Sequence, residues 1–316
     1  MGTQHKQLFF DLEKVVKDLR RSREDTHKIR HLGRVRDLPS RKKVEEIVEG
    51  LFAILFPTHY GRPDLNDHDI DYFVGDILNV TLKKLTEQVR RSLFFVSHEE
   101  TLEESHFDKK AFEISKEFAE RLPSIRALIV SDLRAALAGD PAATSISEIL
   151  LCYPGISATI HYRFAHAIHE LGSPLLARFI TDIAHSISGI DIHPGAQIDE
   201  GFFIDHGTGV VIGETSIIGK RVRLYQGVTL GAKRFPLDKE GNLIKGNDRH
   251  PIVEDDVVIY AGATILGRIT IGARSTIGGN VWLTHSVPPG SNISQAHMVA
   301  EPIDLVKEKK HQVVNH

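Results

Sequence analysis

The sequence is poor in cysteine and contains no long apolar run. Cys152 is the only cysteine among 316 residues, so no disulfide can form within the chain. This usage is typical of a reducing compartment, and we expect a cytoplasmic protein. No apolar stretch reaches the roughly 18 residues that a membrane-spanning helix needs, and MGTQHKQLFFDLEK at the start lacks the apolar core of a secretory signal. We therefore expect no membrane association.

A strong charge of either sign is also absent. The chain has 39 basic and 42 acidic residues, which gives a net charge of −3 at pH 7. Such a balance gives no reason to expect a nucleic-acid partner. The basic cluster between Lys17 and Arg36 is interleaved with acidic residues and an apolar pattern, which is typical of a solvated helix surface.

The last third of the chain repeats every six residues. The stretch IYAGATILGRITIGARSTIGGNVWL carries Ile259, Ile265, Ile271, Ile277 and Leu283 on this period. A helix repeats its buried face about every 3.6 residues and a strand every second residue, so neither explains a period of six. A hexad of an aliphatic residue, a small residue and four variable ones is typical of a parallel β-helix, in which three hexads close one triangular coil.

The same period begins earlier and is interrupted twice. It runs from Ile192 to Val210, shifts by two residues, and continues from Ile212 to Leu230. The polar segment AKRFPLDKEGNLIKGNDRHP then stops it, and we interpret residues 231–250 as a loop inserted at one corner of the coil. Glycines follow several of the repeating aliphatic residues, where we expect a positive φ: these are Gly213, Gly219, Gly272 and Gly278.

Residues 1–189 are predicted to be helical. Apolar residues recur at spacings of three and four in several stretches, among them KKVEEIVEGLFAILF and IDYFVGDILNVTLKKLTEQVRRSLFFV. Gly189 is predicted to cap the last helix. The predicted fold is therefore α+β: a helical domain over 1–189, a β-helix over 190–293, and a tail over 294–316. A helical cap also protects the open strand edge of the first coil.

Three histidines of the β-helix lie beside charged residues in turn-forming segments. They occur in Asp191-Ile192-His193-Pro194, Asp205-His206-Gly207 and Asp248-Arg249-His250-Pro251. Histidine is the usual general base near neutral pH, and a neighbouring carboxylate can orient its ring. Asp191 precedes His206 by fifteen residues, which places the two on adjacent coils about 4.8 Å apart.

The string DIHPGAQIDEGFFIDHGTGVVIGETSIIGKRVRLYQGVTLG, followed by DRHP and AGATILGRITIG, resembles serine O-acetyltransferases. The resemblance covers residues 138–285 and includes Gly139-Asp140-Pro141-Ala142. It implies a left-handed β-helix and acetyl transfer from acetyl-CoA to the hydroxyl of L-serine, the first step of cysteine synthesis, with no metal required. It also implies a homotrimer or a dimer of trimers, with active sites between subunits.

The resemblance assigns roles to individual residues. His206 is the implied general base, and Asp191 is the carboxylate paired with it. The implied contacts to L-serine come from Asp140, Asp205, Arg249 and His250. Backbone groups of the coils and one cation are implied to bind CoA: Gly231, Ala232, Ala261, Gly262 and Arg268.

The sequence departs from the family pattern at two places. The 231–250 insertion is longer than the compact glycine-rich form common in the family, so we expect a different lid over the substrate. The tail ends in Val-Val-Asn-His316 and lacks the terminal isoleucine that many members insert into O-acetylserine sulfhydrylase. A complex with that enzyme through the tail is therefore not expected.

Two other functions fit parts of the pattern. One is a hexapeptide-repeat acyltransferase with another hydroxyl acceptor, such as a sugar or homoserine. The other is a zinc-dependent β-helix hydratase, with His193, His206 and His250 shared between subunits. The charged residues beside each histidine favour an organic substrate over a metal.

Overall fold

The computed structural model describes residues 11–26, 30–31, 34–35, 38–97, 103–234 and 236–295. Residues 296–316 of the predicted tail, and with them the expectation about O-acetylserine sulfhydrylase, lie outside the described residues. The described part has a helical region followed by a left-handed parallel β-helix, which confirms the predicted fold class. No helix within it is long and apolar enough to cross a membrane.

The N-terminal half is built from helices. A π-helical turn, Pro57–Gly61, and a two-strand hairpin, β1 (Arg30–His31) and β2 (Arg34–Val35), complete it. The α-helices are α1 (Leu12–Thr26), α2 (Arg41–Leu55), α3 (Ile70–Val96), α4 (Glu104–Gly139), α5 (Ile146–Cys152), α6 (Pro154–Glu170) and α7 (Pro174–Ser188).

Local sequence signals explain where these helices begin and end. The segment from Ile146 to Glu170 divides into α5 and α6, because Pro154 suits the first turn of a new helix. The Ser145 side chain caps α5 by accepting a hydrogen bond from the Glu148 N–H at 3.1 Å. Gly189 ends α7 in the left-handed conformation, with φ 70°, which confirms the predicted cap.

Two-residue and three-residue strands build the β-helix, and three parallel sheets form its sides. The first sheet contains β3 (Asp191–Ile192), β6 (Val211–Ile212), β9 (Thr229–Gly231), β12 (Thr264–Leu266) and β15 (Trp282–Leu283). The second contains β4 (Gln197–Ile198), β7 (Ile217–Ile218), β10 (Ile252–Val253) and β13 (Thr270–Ile271). The third contains β5 (Phe203–Ile204), β8 (Arg223–Leu224), β11 (Val258–Ile259), β14 (Thr276–Ile277) and β16 (Asn292–Ile293).

The repeating aliphatic residues fill the interior of the coil. In the first sheet Ile212 pairs in register with Leu230, which pairs with Ile265, and Ile265 pairs with Leu283. All four side chains are buried. Each coil thus stacks an aliphatic residue on the one before it, and burial of these columns stabilises the solenoid.

The glycines that follow the repeating residues do not have the predicted positive φ. They are required instead because the next coil lies directly against them. A Cβ on Gly213 would lie 2.0 Å from Cδ2 of His250, and one on Gly272 would lie 2.3 Å from the nitrogen of Pro289. The expectation of left-handed turns at these positions was therefore wrong, and close approach between coils is the physical reason for glycine.

Buried polar contacts join the helical region to the first coil. Arg163 of α6 forms an ion pair with Asp132 of α4 at 3.0 Å, and both side chains are almost fully buried. Arg163 also donates to the Asp199 carbonyl at 2.7 Å, while Asp132 accepts from the Phe202 N–H at 2.8 Å. At Gly155 a Cβ would lie 2.1 Å from the Ile204 carbonyl oxygen. These contacts fix the helices against the strand that leads to His206.

Candidate active site

His206 lies in an enlarged turn of the β-helix. The turn from β5 to β6 spans six residues, 205–210, whereas the other turns from the third sheet to the first span four. His206, Gly207 and Gly209 all have positive φ, at 59°, 98° and 82°. The His206 side chain is 71% exposed. The two-residue shift in the hexad period is therefore the sequence signal of this turn, which we name the His206 corner (residues 205–210).

Two carboxylates accompany the imidazole. Asp205 Oδ1 lies 3.9 Å from His206 Nε2. Asp140, at the end of α4, accepts from the Tyr153 hydroxyl at 2.6 Å and from the Ala142 N–H at 2.8 Å. The hydrogen bond from Tyr153 lowers the pKa of Asp140 and raises the pKa of Tyr153 to about 12. The corner therefore presents an exposed imidazole beside an acidic region formed by both domains.

Arg223 holds this acidic region together, and sequence reasoning missed it. Its Nη2 donates to Asp205 Oδ2 at 2.7 Å, and its Nη1 donates to the Gly139 carbonyl. The guanidinium also lies over the rings of Phe203 and Tyr225. No motif marks Arg223, which occupies the outward-facing position of β8 one coil above Asp205. Its contacts position the end of α4 over the His206 corner.

Asp191 lies beside the His206 corner, on β3. Its N–H donates to the Val210 carbonyl at 2.9 Å, so the two segments are on adjacent coils, as predicted. Among the described residues, however, its carboxylate forms no hydrogen bond or ion pair with His206, and Asp205 is the carboxylate within 4 Å of that ring. The pairing of Asp191 with His206 therefore stays a prediction.

Arg249 and His250 lie at a different corner, where the chain passes from the first sheet to the second. We name it the insertion corner (residues 231–251). His250 Nδ1 accepts from the Thr215 N–H at 3.0 Å, so a neutral ring carries its proton on Nε2. Burial, followed by the charge of Arg249, lowers the pKa of His250 to about 4. His250 is thus a neutral hydrogen-bond donor at physiological pH.

Arg249 is engaged by a carboxylate that sequence reasoning did not single out. Its Nη2 donates to Glu214 Oε2 at 2.5 Å, and its Nη1 donates to the Asn247 carbonyl at 3.1 Å. The ion pair with Arg249 lowers the pKa of Glu214. The Gly-Glu-Thr that follows Ile212 is the sequence feature that could have indicated this part of the site. Its Glu214 and Thr215 both contact the Arg249–His250 pair.

The five residues predicted to bind CoA also divide between the two corners. Ala261 and Gly262 lie in a turn on the His206 side, two coils further along. Gly231 and Ala232 begin the insertion corner, and Arg268 lies at the matching turn of the next coil. Arg268 donates to the carbonyls of Thr215 and His250 and forms an ion pair with Asp248 at 3.3 Å. Within one chain it holds the C-terminal end of the insertion against the turn that contains Thr215.

Within one chain the three histidines of the zinc hypothesis do not converge, and a site shared between subunits stays an untested alternative. His193 and His250 lie on the insertion side and His206 on the other, and no group of three potential ligands among the described residues is arranged to hold a metal. Burial lowers the pKa of His193 to about 4, and its Nδ1 accepts from the Gly195 N–H at 3.0 Å.

The chain is similar to known proteins in both sequence and fold. Residues 250–285 match the family described as bacterial transferase hexapeptide (six repeats). A plasmid-encoded serine acetyltransferase of Synechococcus elongatus is 57% identical over 264 residues, which is 83% of each chain. The crystal structure of Entamoeba histolytica serine acetyltransferase 1 in complex with L-cysteine is 37% identical with a TM-score of 0.69, covering 79% of this chain and 86% of that one.

A further solved structure, a serine acetyltransferase in complex with CoA, is 28% identical with a TM-score of 0.50 and covers 79% of this chain and 96% of that one. The S. elongatus relative spans most of the length of both sequences. The fold, the hexad repeats and the relatives together show that this chain is an acyltransferase and belongs to the serine acetyltransferase family.

Proposed function

We propose that this protein transfers the acetyl group of acetyl-CoA to the hydroxyl of L-serine, with His206 as the general base. The observation that carries the proposal is the His206 corner, where an exposed imidazole stands beside Asp205 at 3.9 Å in a turn enlarged by two residues. Relatives named serine acetyltransferase, and one such structure in complex with CoA, support the substrate pair.

The acidic region recognises the ammonium group of serine. Asp140 and Asp205 are both oriented by donors, Tyr153 and Arg223, and each carboxylate keeps lone pairs free for a further donor. Two fixed carboxylates suit a primary ammonium, which brings three donors. An amino acid therefore fits this corner better than a neutral sugar hydroxyl.

The reaction needs no acyl-enzyme. The serine oxygen bonds to the thioester carbonyl carbon while its proton passes to the unprotonated ring nitrogen of His206. Collapse of the tetrahedral intermediate breaks the carbon–sulfur bond, and the CoA thiolate takes the proton back from the imidazolium. General-base assistance of this kind contributes roughly 10²–10⁴ in rate.

Asp191 is the proposed carboxylate that orients the imidazole. Its N–H donates to the carbonyl of Val210, the last residue of the His206 corner, and its carboxylate forms no hydrogen bond or ion pair with another described residue. Turning this carboxylate toward the imidazole therefore breaks no existing hydrogen bond of Asp191.

Neighbouring subunits complete the site. Within one chain the serine contacts are split between two corners, and the outer face of the first sheet separates them. That face exposes Val211 and Trp282, the latter to 69%, which suits contact with another subunit. In a homotrimer, or a dimer of trimers, the His206 corner of one subunit meets Arg249 and His250 of the next. When serine binds there, the Arg249 guanidinium releases the Glu214 carboxylate and pairs with the serine carboxylate instead.

The proposal is tested by acetyl-CoA consumption with L-serine, homoserine and a galactoside as acceptors. We expect serine to be preferred, and His206→Ala and Asp191→Asn to lose about 10²-fold or more of kcat. His68→Ala, which removes an exposed histidine of the helical region, is the control and should retain full activity. Preference for another acceptor, or an active His206→Ala variant, would overturn the proposal.

A further inference from the structure

The helical region contains a cavity that the proposed acetyl transfer does not use. It has a volume of about 400 Å³ and lies between α2, the π-helical turn, α6 and α7. This volume is within the range of pockets that enclose small organic ligands. The described residues that line it include none from the His206 corner or the insertion corner. We name it the helical cavity and ask which ligand its wall suits.

Most of the wall of the helical cavity is apolar. Phe52 of α2 and Tyr60 of the π-helical turn meet edge to face, with ring centroids 4.9 Å apart. The Tyr60 hydroxyl donates to the Leu150 carbonyl at 2.5 Å, which fixes this ring against α5. Ile187 of α7 also lines the cavity and is 66% exposed, so it stands at the mouth. The wall therefore suits the hydrocarbon part of a ligand, and π-helical turns are frequent at functional sites.

His161 of α6 places a buried hydrogen-bond acceptor in this wall. The residue is 5% exposed, and its Nδ1 donates to the Ser157 carbonyl at 2.7 Å. Burial lowers the pKa of His161, so the ring is neutral at physiological pH and its Nε2 carries a lone pair. The ring lines the cavity, and Nε2 forms no hydrogen bond with another described residue. A buried acceptor needs a donor, and the cavity is the space from which one can come.

The charged groups of the helical cavity are acceptors as well. Glu45 and Glu49 lie one turn apart on α2, and both line it. Glu45 is paired with Arg41 at 3.3 Å, whereas the Glu49 carboxylate forms no hydrogen bond or ion pair with another described residue. Among the described residues that line the cavity, none is a lysine or an arginine. This balance disfavours an anionic ligand and favours a cation.

We propose that the helical cavity binds an organic ammonium ion with a short apolar body. The ammonium group donates to the Glu49 carboxylate and to Nε2 of His161, and the aromatic rings enclose the hydrocarbon part. Phe52, one turn after Glu49, lies 5.2 Å from His161 between ring centroids, so both acceptors border the same space. A primary ammonium brings three donors, and aromatic faces attract cations. An amino acid such as serine fits poorly, because its carboxylate meets no cation here.

Calorimetry on the full chain with three probes of similar shape tests this assignment. We expect 2-phenylethylamine, a cation at neutral pH, to bind, 2-phenylethanol to bind about tenfold or more weakly, and 3-phenylpropionate to show no binding. Glu49→Gln removes the charge and keeps the shape, so it should weaken binding of the amine by about tenfold or more. Glu113→Gln, at an exposed glutamate of α4 outside the cavity, is the matched control and should leave binding unchanged.

A second variant closes the cavity without changing its charge. Ile187→Trp enlarges an exposed side chain at the mouth and should abolish amine binding, whereas Leu151→Trp, at an exposed position outside the cavity, should retain it. L-Serine should not displace the amine, and displacement would place the amine in the acidic region at the His206 corner and overturn the inference. Failure of the wild type to bind the amine, equal affinity for the three probes, or unchanged binding in Glu49→Gln and Ile187→Trp would overturn it too. None of these results depends on whether serine is the acceptor.

Discussion

The His206 corner and the insertion corner interrupt the same repeat in different ways. At the His206 corner two extra residues are accommodated by left-handed backbone conformations, and the result is one exposed imidazole in an enlarged turn. At the insertion corner the chain leaves the coil for about twenty residues and returns at His250, which is buried and neutral. Both interruptions carry the candidate site residues, and the proposed function assigns proton transfer to the small one and serine binding to the large one.

The largest effect is expected from a substitution that excludes the left-handed backbone conformations of the His206 corner. Gly207 has φ 98°, and a Cβ there would lie 2.4 Å from Cδ1 of the buried Ile190. A β-branched residue tolerates neither the backbone nor the contact. We expect Gly207→Val to destabilise the fold by about 2–4 kcal/mol and to reduce kcat by about 10²-fold, since His206 is its immediate neighbour. Thermal unfolding and the serine assay measure the two effects.

Gly172→Val is the matched control for that variant. Gly172 has nearly the same φ, 93°, but nothing lies within 4 Å of its Cβ position. It should therefore show the backbone strain alone and keep its specific activity at temperatures where it is folded. Full activity in Gly207→Val would mean that the conformation of the corner does not matter for the position of His206.

Much of the fold could be predicted from the hexad period because the interior of the coil depends only on which side chains point inward. The period carries no information about which residues lie against the outside of a turn. For this reason Gly213 was assigned a positive φ, although its actual role is to leave room for the ring of His250. A repeat shows where the chain turns, and only the three-dimensional stack shows which residue presses against the turn.

Counting hexads could have predicted that the candidate site residues of one chain lie at two different corners of the coil. His206 follows the third strand of a coil, whereas Arg249 and His250 precede the second strand of a later one. Three hexads close one coil, so the two positions fall at different corners. Arg223 could not be found in this way, because its role depends on where the end of α4 lies against the β-helix. Contacts between domains have no period in the sequence.

A smaller effect is expected when the insertion corner is changed beneath His250. A Cβ on Gly213 would lie 2.0 Å from Cδ2 of His250, so Gly213→Ala must displace the ring and lengthen its hydrogen bond to Thr215. We expect a loss of about 1–3 kcal/mol in stability and an increase in the KM for serine with a smaller change in kcat, because the proposed function assigns serine binding to His250 and proton transfer to His206.

Gly75→Ala provides the comparison for that variant. Gly75 lies within α3 with nothing within 4 Å of its Cβ position, so alanine there should stabilise the helix by about 0.5–1 kcal/mol and leave the KM unchanged. If Gly213→Ala lowered kcat and left the KM for serine unchanged, the assignment of binding to the insertion corner would be wrong.

The smallest effect concerns the electrostatics of the His206 corner. The Tyr153 hydroxyl is the main cause of the lowered pKa of Asp140, so Tyr153→Phe should raise that pKa toward its ordinary value. A carboxylate with a depressed folded-state pKa contributes stability above its unfolded pKa and loses it as the pH falls through the folded value. In the variant the folded and unfolded pKa values of Asp140 lie closer together, so this acid-side loss of stability should become smaller, which acid unfolding can measure, while carboxyl-carbon NMR follows the raised pKa itself. At neutral pH Asp140 is ionised in both proteins, so the KM for serine should increase only a few-fold, through the lost orientation of the carboxylate. Tyr72→Phe, at an exposed tyrosine of α3, is the control and should change neither the pKa of Asp140 nor the KM for serine. An unaltered titration of Asp140 in Tyr153→Phe would show that the hydroxyl does not control the charge of this corner.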